Sequence, residues 1–201
     1  MDLYIPESLR ALLPDTLLEQ CRARPFTKGD FLFHQHAVPE LMFFIVSGEA
    51  VLSRASAYGG LTVLQRCQNG FLSEASLLTD VYHCDALATQ NGTSVTIPID
   101  AFKTALNDPD FALKWIRLLS REIMRLRTQS ERLGLKDIKS KLIHLIETDG
   151  KQGVLTLRSD FKSLAAEIGA THEALYRAIA HLEAEQVLKK TPHSLELLKP
   201  K

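Results

Sequence analysis

The sequence predicts an α+β chain, with an all-β half followed by a helical half that ends in a small hairpin. Three observations predict it. Short apolar stretches separated by turn signals recur across residues 26–98, and the apolar period changes from two to three and a half at Asp108-Pro109. The charge changes sign at the same place: residues 1–108 carry seven Lys/Arg against twelve Asp/Glu, and residues 109–201 carry seventeen against twelve. A net charge of zero therefore hides −5 on one half and +5 on the other, a basic module suited to a polyanion beside an acidic one.

A short helical lead-in is expected at Pro14–Ala23. Strands are expected at Phe31–Phe33, Leu41–Val46, Ala50–Leu52, Leu61–Leu64 and Val95–Ile97. Turns separate them at Lys28-Gly29-Asp30, Ser47-Gly48, Gly59-Gly60, Asn69-Gly70 and Asn91-Gly92. Many short strands at regular spacing imply a sandwich or barrel. Asp108-Pro109 is a cap and first-turn pair. Beyond it Ala112, Ile116, Leu119, Ile123, Leu126, Ser130 and Leu133 follow a 4-3-4-3 spacing, with Arg117, Arg121, Arg125, Arg127 and Arg132 on other faces. Such a seam suits self-pairing as a coiled coil, and the period alone leaves open a helix packed on its own barrel. The polar Ser130 favours pairing, and Gly134 offers a break and hinge.

A further amphipathic helix is expected at Asp137–Thr148, a short strand at Gly153–Leu157, and helices at Phe161–Ile168 and His172–Glu185. A hairpin of Val187–Lys190 and Leu195–Leu198 around Thr191-Pro192-His193-Ser194 completes the chain. The organisation reads as residues 1–108, a β-barrel effector or sensor domain; 109–134, a pairing helix and hinge; and 135–201, a small C-terminal domain.

Cys21, Cys67 and Cys84 are three and widely spaced, which argues against a disulfide framework, a CxxC zinc site or a four-cysteine iron–sulfur cluster. No apolar run approaches the ~20 residues of a membrane span, and the N-terminus lacks the pattern of a signal peptide. A reducing cytoplasm and no membrane are the expectation.

Residues 163–182 carry the most information. Leu164, Ala165 and Ile168 form the inner face of a short helix that Asp160 can cap. Gly169 suits the left-handed residue of a tight turn, and Thr171 can cap a second helix whose inner face is Leu175, Ile179 and Leu182. This is the helix-turn-helix pattern. His172, Glu173, Tyr176 and Arg177 then point outward near the second helix's N-terminus, the end that enters a major groove. Arg177 can bond a guanine bidentately and Glu173 can accept from cytosine, although the two also form an i,i+4 salt-bridge pair. Lys189, Lys190 and His193 read as a wing that touches phosphate.

With these motifs in place, the chain resembles the Crp/Fnr regulators, the catabolite-activator and fumarate-nitrate-regulator group. The resemblance covers nearly the whole length. It rests on Lys28-Gly29-Asp30, on the run from Phe43 to Gly48-Glu49, and on the run from Gly70 to Leu78. It rests also on the long helix and on Leu164-Ala165, Gly169, Glu173 and Arg177. It implies a double-stranded β-helix sensor (a cyclic-nucleotide-binding-like jelly roll), dimerisation through residues 109–133, and a winged helix-turn-helix. The protein implied is a dimeric transcription regulator, not an enzyme, with palindromic double-stranded DNA and RNA polymerase as partners. The family's base-reading residues map onto His172, Glu173 and Arg177; position 172 is often Arg in catabolite activators, so His172 departs from that branch.

Cyclic-nucleotide members use a Gly-Glu pair for ribose and Arg followed by Ser or Thr for phosphate. Here those positions read Ser73-Glu74 and Tyr82-His83, and no Lys or Arg occurs between Arg66 and Lys103. A buried cyclic phosphate without a cation loses a charge-assisted interaction worth ~1.5–3 kcal/mol. A cyclic nucleotide is therefore not expected as effector, and Thr128 and Gln129 on the long helix do not restore the missing charge. The effector pocket is assigned to Phe71, Ser73, Glu74, Tyr82, His83, Thr128 and Gln129, with the effector and any cofactor unidentified. Gly29, His34, His36, Glu40 and Gly48 resemble the first metal motif of cupins; His34 and His36, two apart on one strand face, could with Glu40 and His83 offer ligands to a divalent metal, and the family's turn at position 36 and a chance HxH are the plainer account. Haem through His34, His36, His83 or Cys84 is a further option. Two other functions stand beside the regulator: a cupin-like metalloenzyme with a helical tail, and a signalling barrel that gates a partner protein.

Overall fold

The computed structural model describes residues 5–55, 61–157 and 160–198; the expected Gly59-Gly60 turn lies outside them. The chain divides into two compact units, one ending at Arg117 and the other beginning at Leu118.

The first unit opens with two short helices, α1 (Glu7–Leu12) and α2 (Asp15–Leu18), each preceded by a proline at its N-cap. The predicted lead-in helix gives way early, because strand β1 already begins at Arg22 (Arg22–Phe26). A strand holding Pro25 and two arginines is possible because β1 lies at a sheet edge, bonded only to β8 (Gly92–Pro98). Between them come β2 (Phe31–Phe33), β3 (Leu41–Ser47), β4 (Ala50–Ala55), β5 (Leu61–Cys67), β6 (Gly70–Leu72) and β7 (Asp85–Ala88). They form two four-stranded antiparallel sheets, ordered β1-β8-β3-β6 and β2-β7-β4-β5. This is the arrangement of a jelly roll. Gly48, with φ +77°, sits where a Cβ would overlap the Asn91 carbonyl, so the β3–β4 turn and the start of β8 touch backbone to backbone.

Inward residues of both sheets, among them Phe26, Phe33, Phe43, Ile45, Leu52, Leu72, Tyr82 and Cys84, make one buried core. The three cysteines are buried. Burial pushes the Cys21 thiol up to about 11, and the thiol donates to the Leu17 carbonyl at 3.3 Å. Helix α3 (Ile99–Ala105) follows β8, and α4 (Pro109–Gly134) follows α3. The first turns of α4 are anchored by Phe111 and Trp115, both almost fully buried, whose rings stand edge-on to Phe102 at 5.2 and 4.7 Å.

Neither anchor belongs to the 4-3 seam. Along that seam Ile116, Ile123, Leu126 and Leu133 are 46–56% exposed. These four thus form an apolar stripe that the described residues leave about half exposed. Off the seam, Arg132 is only 2% exposed. Its Nη2 donates to Asp149 Oδ1 at 2.6 Å and Thr148 Oγ1 at 2.9 Å, and its Nη1 lies 3.7 Å from Glu167. Both carboxylates end helices, where a cation is favoured.

In the second unit, α5 (Ile138–Asp149) is capped by Asp137, which accepts the Ser140 N–H at 2.9 Å. Strand β9 (Val154–Thr156), helices α6 (Phe161–Glu167) and α7 (His172–Ala184), and strands β10 (Leu188–Lys190) and β11 (Ser194–Leu197) follow. The three strands form one antiparallel sheet, ordered β10-β11-β9. Leu142, Leu145, Ile146, Leu155, Leu188 and Leu195 share a core with the inner faces of α6 and α7. Among the described residues, four other than glycine hold left-handed backbone: His36, Ser73, Gln152 and Gln186. Among the described residues no helix is long and apolar enough to cross a membrane.

Candidate nucleic-acid interface

Helices α6 and α7 are started by the side chains that the sequence singles out. Asp160 accepts the Ser163 N–H at 2.8 Å, and Thr171 Oγ1 accepts that of Ala174 at 3.2 Å. Between the helices Gly169 takes φ +67°, and the Ala170 N–H closes the turn on the Ala165 carbonyl at 2.8 Å. A Cβ on Gly169 would stand 3.3 Å from Leu133 Cδ2, so this position is closed by contact as well as by conformation. Leu164, Ala165, Ile168, Leu175, Ile179 and Leu182 are all buried.

Pinning that face turns the opposite one outward. Thr171, His172, Glu173 and Arg177 are exposed, and Tyr176 is partly so. Among the described residues no ion pair joins Glu173 to Arg177, so both charged ends are available to a partner. The first two turns of α7 therefore offer a helix N-terminus, a carboxylate, a guanidinium and two aromatic rings on one surface. Lys189 is exposed on β10, whereas Lys190 is half-buried with its ammonium 4.1 Å from the Tyr176 ring centroid. The turn beyond is tight: Thr191 Oγ1 accepts the N–H groups of His193 and Ser194 at 3.3 and 2.9 Å. Phe161, which also stands beside Lys190, carried no functional signal in the sequence; its role comes from a strand and a helix that meet only in the fold.

Tyr82 is 3% exposed inside the barrel core, stacked on Phe33 at 3.9 Å, and its hydroxyl donates to the Leu41 carbonyl at 2.6 Å. Burial raises its pKa. His83 alternates to the exposed side, where its carbonyl accepts from Arg54 at 3.2 Å. Phe71 points away from the core that holds Leu72, and packs edge-on against Phe44 and Trp115 at 5.0 and 5.1 Å. Ser73 takes the left-handed backbone that the resemblance gives to glycine, and its hydroxyl donates to the Leu72 carbonyl. Glu74 opens a single 3-10 turn, Glu74–Ser76. Thr128 and Gln129 are half-buried on α4. Tyr82, at the position that the resemblance gives to the phosphate-binding Arg, is thus turned inward to fill the barrel.

The metal motif is corrected. β2 ends at Phe33, so His34 and His36 do not share a strand face. His36 occupies a turn at φ +69°, and His34 Nδ1 lies 3.5 Å from Asp85. Among the described residues no three His, Cys, Asp or Glu side chains converge as metal ligands, so His34, His36, Glu40 and His83 form no such group.

Residues 23–108 match the family described as cyclic nucleotide-binding domain. No curated protein matches the chain closely enough to count as a relative. Among solved structures, the chain is similar to a CooA variant from Carboxydothermus hydrogenoformans at 17% identity and TM-score 0.68, covering 98% of this chain and 92% of that one. It is similar to the c-di-GMP-responsive global regulator CLP from Xanthomonas campestris at 15% identity and TM-score 0.61, covering 92% and 98%. FixK2 from Bradyrhizobium japonicum follows at 15% identity and TM-score 0.60, covering 88% and 92%. At these identities the likeness is one of fold.

Proposed function

In fold the chain is of the Crp/Fnr type, with a cyclic nucleotide-binding domain match over residues 23–108, and from that premise we propose that it is a homodimeric, sequence-specific DNA-binding transcription regulator. The observation that carries this reading is the outer face of α7, where His172, Glu173, Tyr176 and Arg177 stand clear while the inner face is buried. In the proposed organisation residues 1–108 are the sensor, 109–134 the dimerisation helix and hinge, and 135–201 a winged helix-turn-helix with β10 and β11 as the wing. Thr171, His172, Glu173, Tyr176 and Arg177 meet the major groove, Lys189 meets phosphate, and Lys190 lies at the same surface. The exposed seam of α4 supports pairing with a second copy, since a coiled-coil stripe is stable only when covered. The protein acts in the cytoplasm, with RNA polymerase as a further partner, and performs no catalysis.

The effector is not a cyclic nucleotide. Tyr82 supports this: displacing a stacked, hydrogen-bonded side chain from a barrel core would expose its apolar ring and leave a buried hydroxyl unpaired. The reading is tested by selecting duplexes from a random pool with the purified protein and measuring their binding beside a scrambled control. A palindrome with half-sites about one helical turn apart is expected. Equal binding of selected and scrambled DNA would overturn it.

A further inference from the structure

A wing lysine that serves phosphate should extend its ammonium into solvent, but that of Lys190 does not. It lies 4.1 Å from the ring centroid of Tyr176 and 4.6 Å from that of Phe161. Its backbone N–H donates to Glu183 Oε1 at 3.1 Å, which ties β10 to α7 and leaves a carboxylate beside the strand. Tyr176 is held from two further sides, tilted against Phe161 at 5.5 Å and edge-on to His172 at 4.7 Å. Tyr176 as a residue is nonetheless 37% exposed, next to the exposed Arg177.

Resting on the DNA-binding reading, we propose that Tyr176 is a specificity-determining residue that selects thymine through its C5-methyl group, and that Lys190 is the positioning residue that holds it. An aromatic ring recognises a base edge by apolar contact, and in the major groove only thymine presents a methyl. A ring free to turn would give little discrimination, because contact with one methyl needs one orientation. The ammonium over its face and the two neighbouring rings restrict that freedom, while its exposed edge remains open to the groove. Lys190 then serves base reading rather than phosphate anchoring, with Lys189 left as the phosphate contact of the strand.

The test replaces each thymine of the selected operator by deoxyuridine, which removes only the methyl. Binding is measured for wild type, Lys190→Met, Lys190→Arg and Tyr176→Leu across salt concentrations, with thermal unfolding as a check on each variant. Wild type should lose about fivefold at one substituted position per half-site, within the range for a single base contact. Lys190→Met and Tyr176→Leu should abolish that difference, Lys190→Arg should keep it, and the salt slope of Lys190→Met should match wild type. The proposal is overturned if Lys190→Met keeps the deoxyuridine penalty while its slope of log K on log salt falls by about one unit, the mark of a lost phosphate contact. It is overturned as well if no thymine methyl matters to wild type. Should Lys190→Met unfold, Lys190→Arg and Tyr176→Leu decide by the same criterion. Failure of wild type to prefer any selected duplex sinks the DNA-binding reading itself, and is told apart by the scrambled control.

Discussion

Arg177 stands on α7 two positions beyond the buried Leu175 and two before the buried Ile179, so the helical period directs it away from the core. Among the described residues its guanidinium pairs with no carboxylate that it must release before meeting a base. Arg177→Ala should therefore cost roughly 1–3 kcal/mol on the selected operator and relax preference at one guanine, with little change on scrambled DNA. Equal weakening of both duplexes in a binding titration would mean that Arg177 anchors rather than reads. The helix was legible at this scale because six inner positions, from Leu164 to Leu182, repeat at helical spacing and two caps precede them. Three residues were not legible. Tyr82 fills the core because β7 and the turn before it fold inward, Arg132 is buried because α5 and α6 both end beside it, and Lys190 meets Tyr176 because β10 lies against α7. Each depends on a contact made across the fold, which spacing along one element does not encode.

Among the elements, α4 divides its surface between two tasks. Phe111 and Trp115 attach its first turns to the β unit, and Ile116, Ile123, Leu126 and Leu133 remain uncovered. Replacing Ile123 and Leu126 together with Glu should give a monomer by sedimentation without loss of the barrel's own thermal transition. A double variant that sediments like wild type would remove α4 as the interface. The caps of α5 and α6 predict a pH dependence. Hydrogen bonds from Ser140 and Ser163 hold the Asp137 and Asp160 carboxyls below the usual carboxylate range. Stability from a depressed carboxyl is present above its unfolded pKa and is lost as pH falls through the folded one, so it fades below about pH 4. Asp137→Asn with Asp160→Asn should keep the caps but flatten that acid limb, as followed by denaturant unfolding across pH; an unchanged limb would assign it to other groups. Strands rich in aromatic and branched residues were readable in the sequence, whereas β1, β6 and β7 were not. β1 is an edge strand of RARPF, β6 has three residues, and β7 alternates with alanines that carry little β preference. Helix α3 was missed because Pro98 joins it to β8 with no intervening turn.

For the whole molecule, a β unit with a filled core makes a clear thermodynamic statement. A ligand that binds only the folded state at a hundred times its dissociation constant adds about 2.7 kcal/mol of stability. Millimolar cyclic AMP should therefore leave the unfolding temperature of this protein where it was, and a rise of several degrees would show that Tyr82 yields. Stability has a further, unused margin. Gln186 follows the end of α7 with φ +58°, its N–H bonded to the Glu183 carbonyl, in the place where helices usually finish on glycine. A residue with a Cβ is strained there by about 1 kcal/mol, so Gln186→Gly should raise stability by up to that amount in denaturant unfolding, and a loss would show that the glutamine side chain matters. His36, Ser73 and Gln152 repeat the situation at three other turns, in both units. The backbone could thus carry a sturdier protein than the one written on it, and glycine at the exposed corners, His36, Gln152 and Gln186, gives a route to a thermally hardened variant whose buried core and outer α7 face are left untouched.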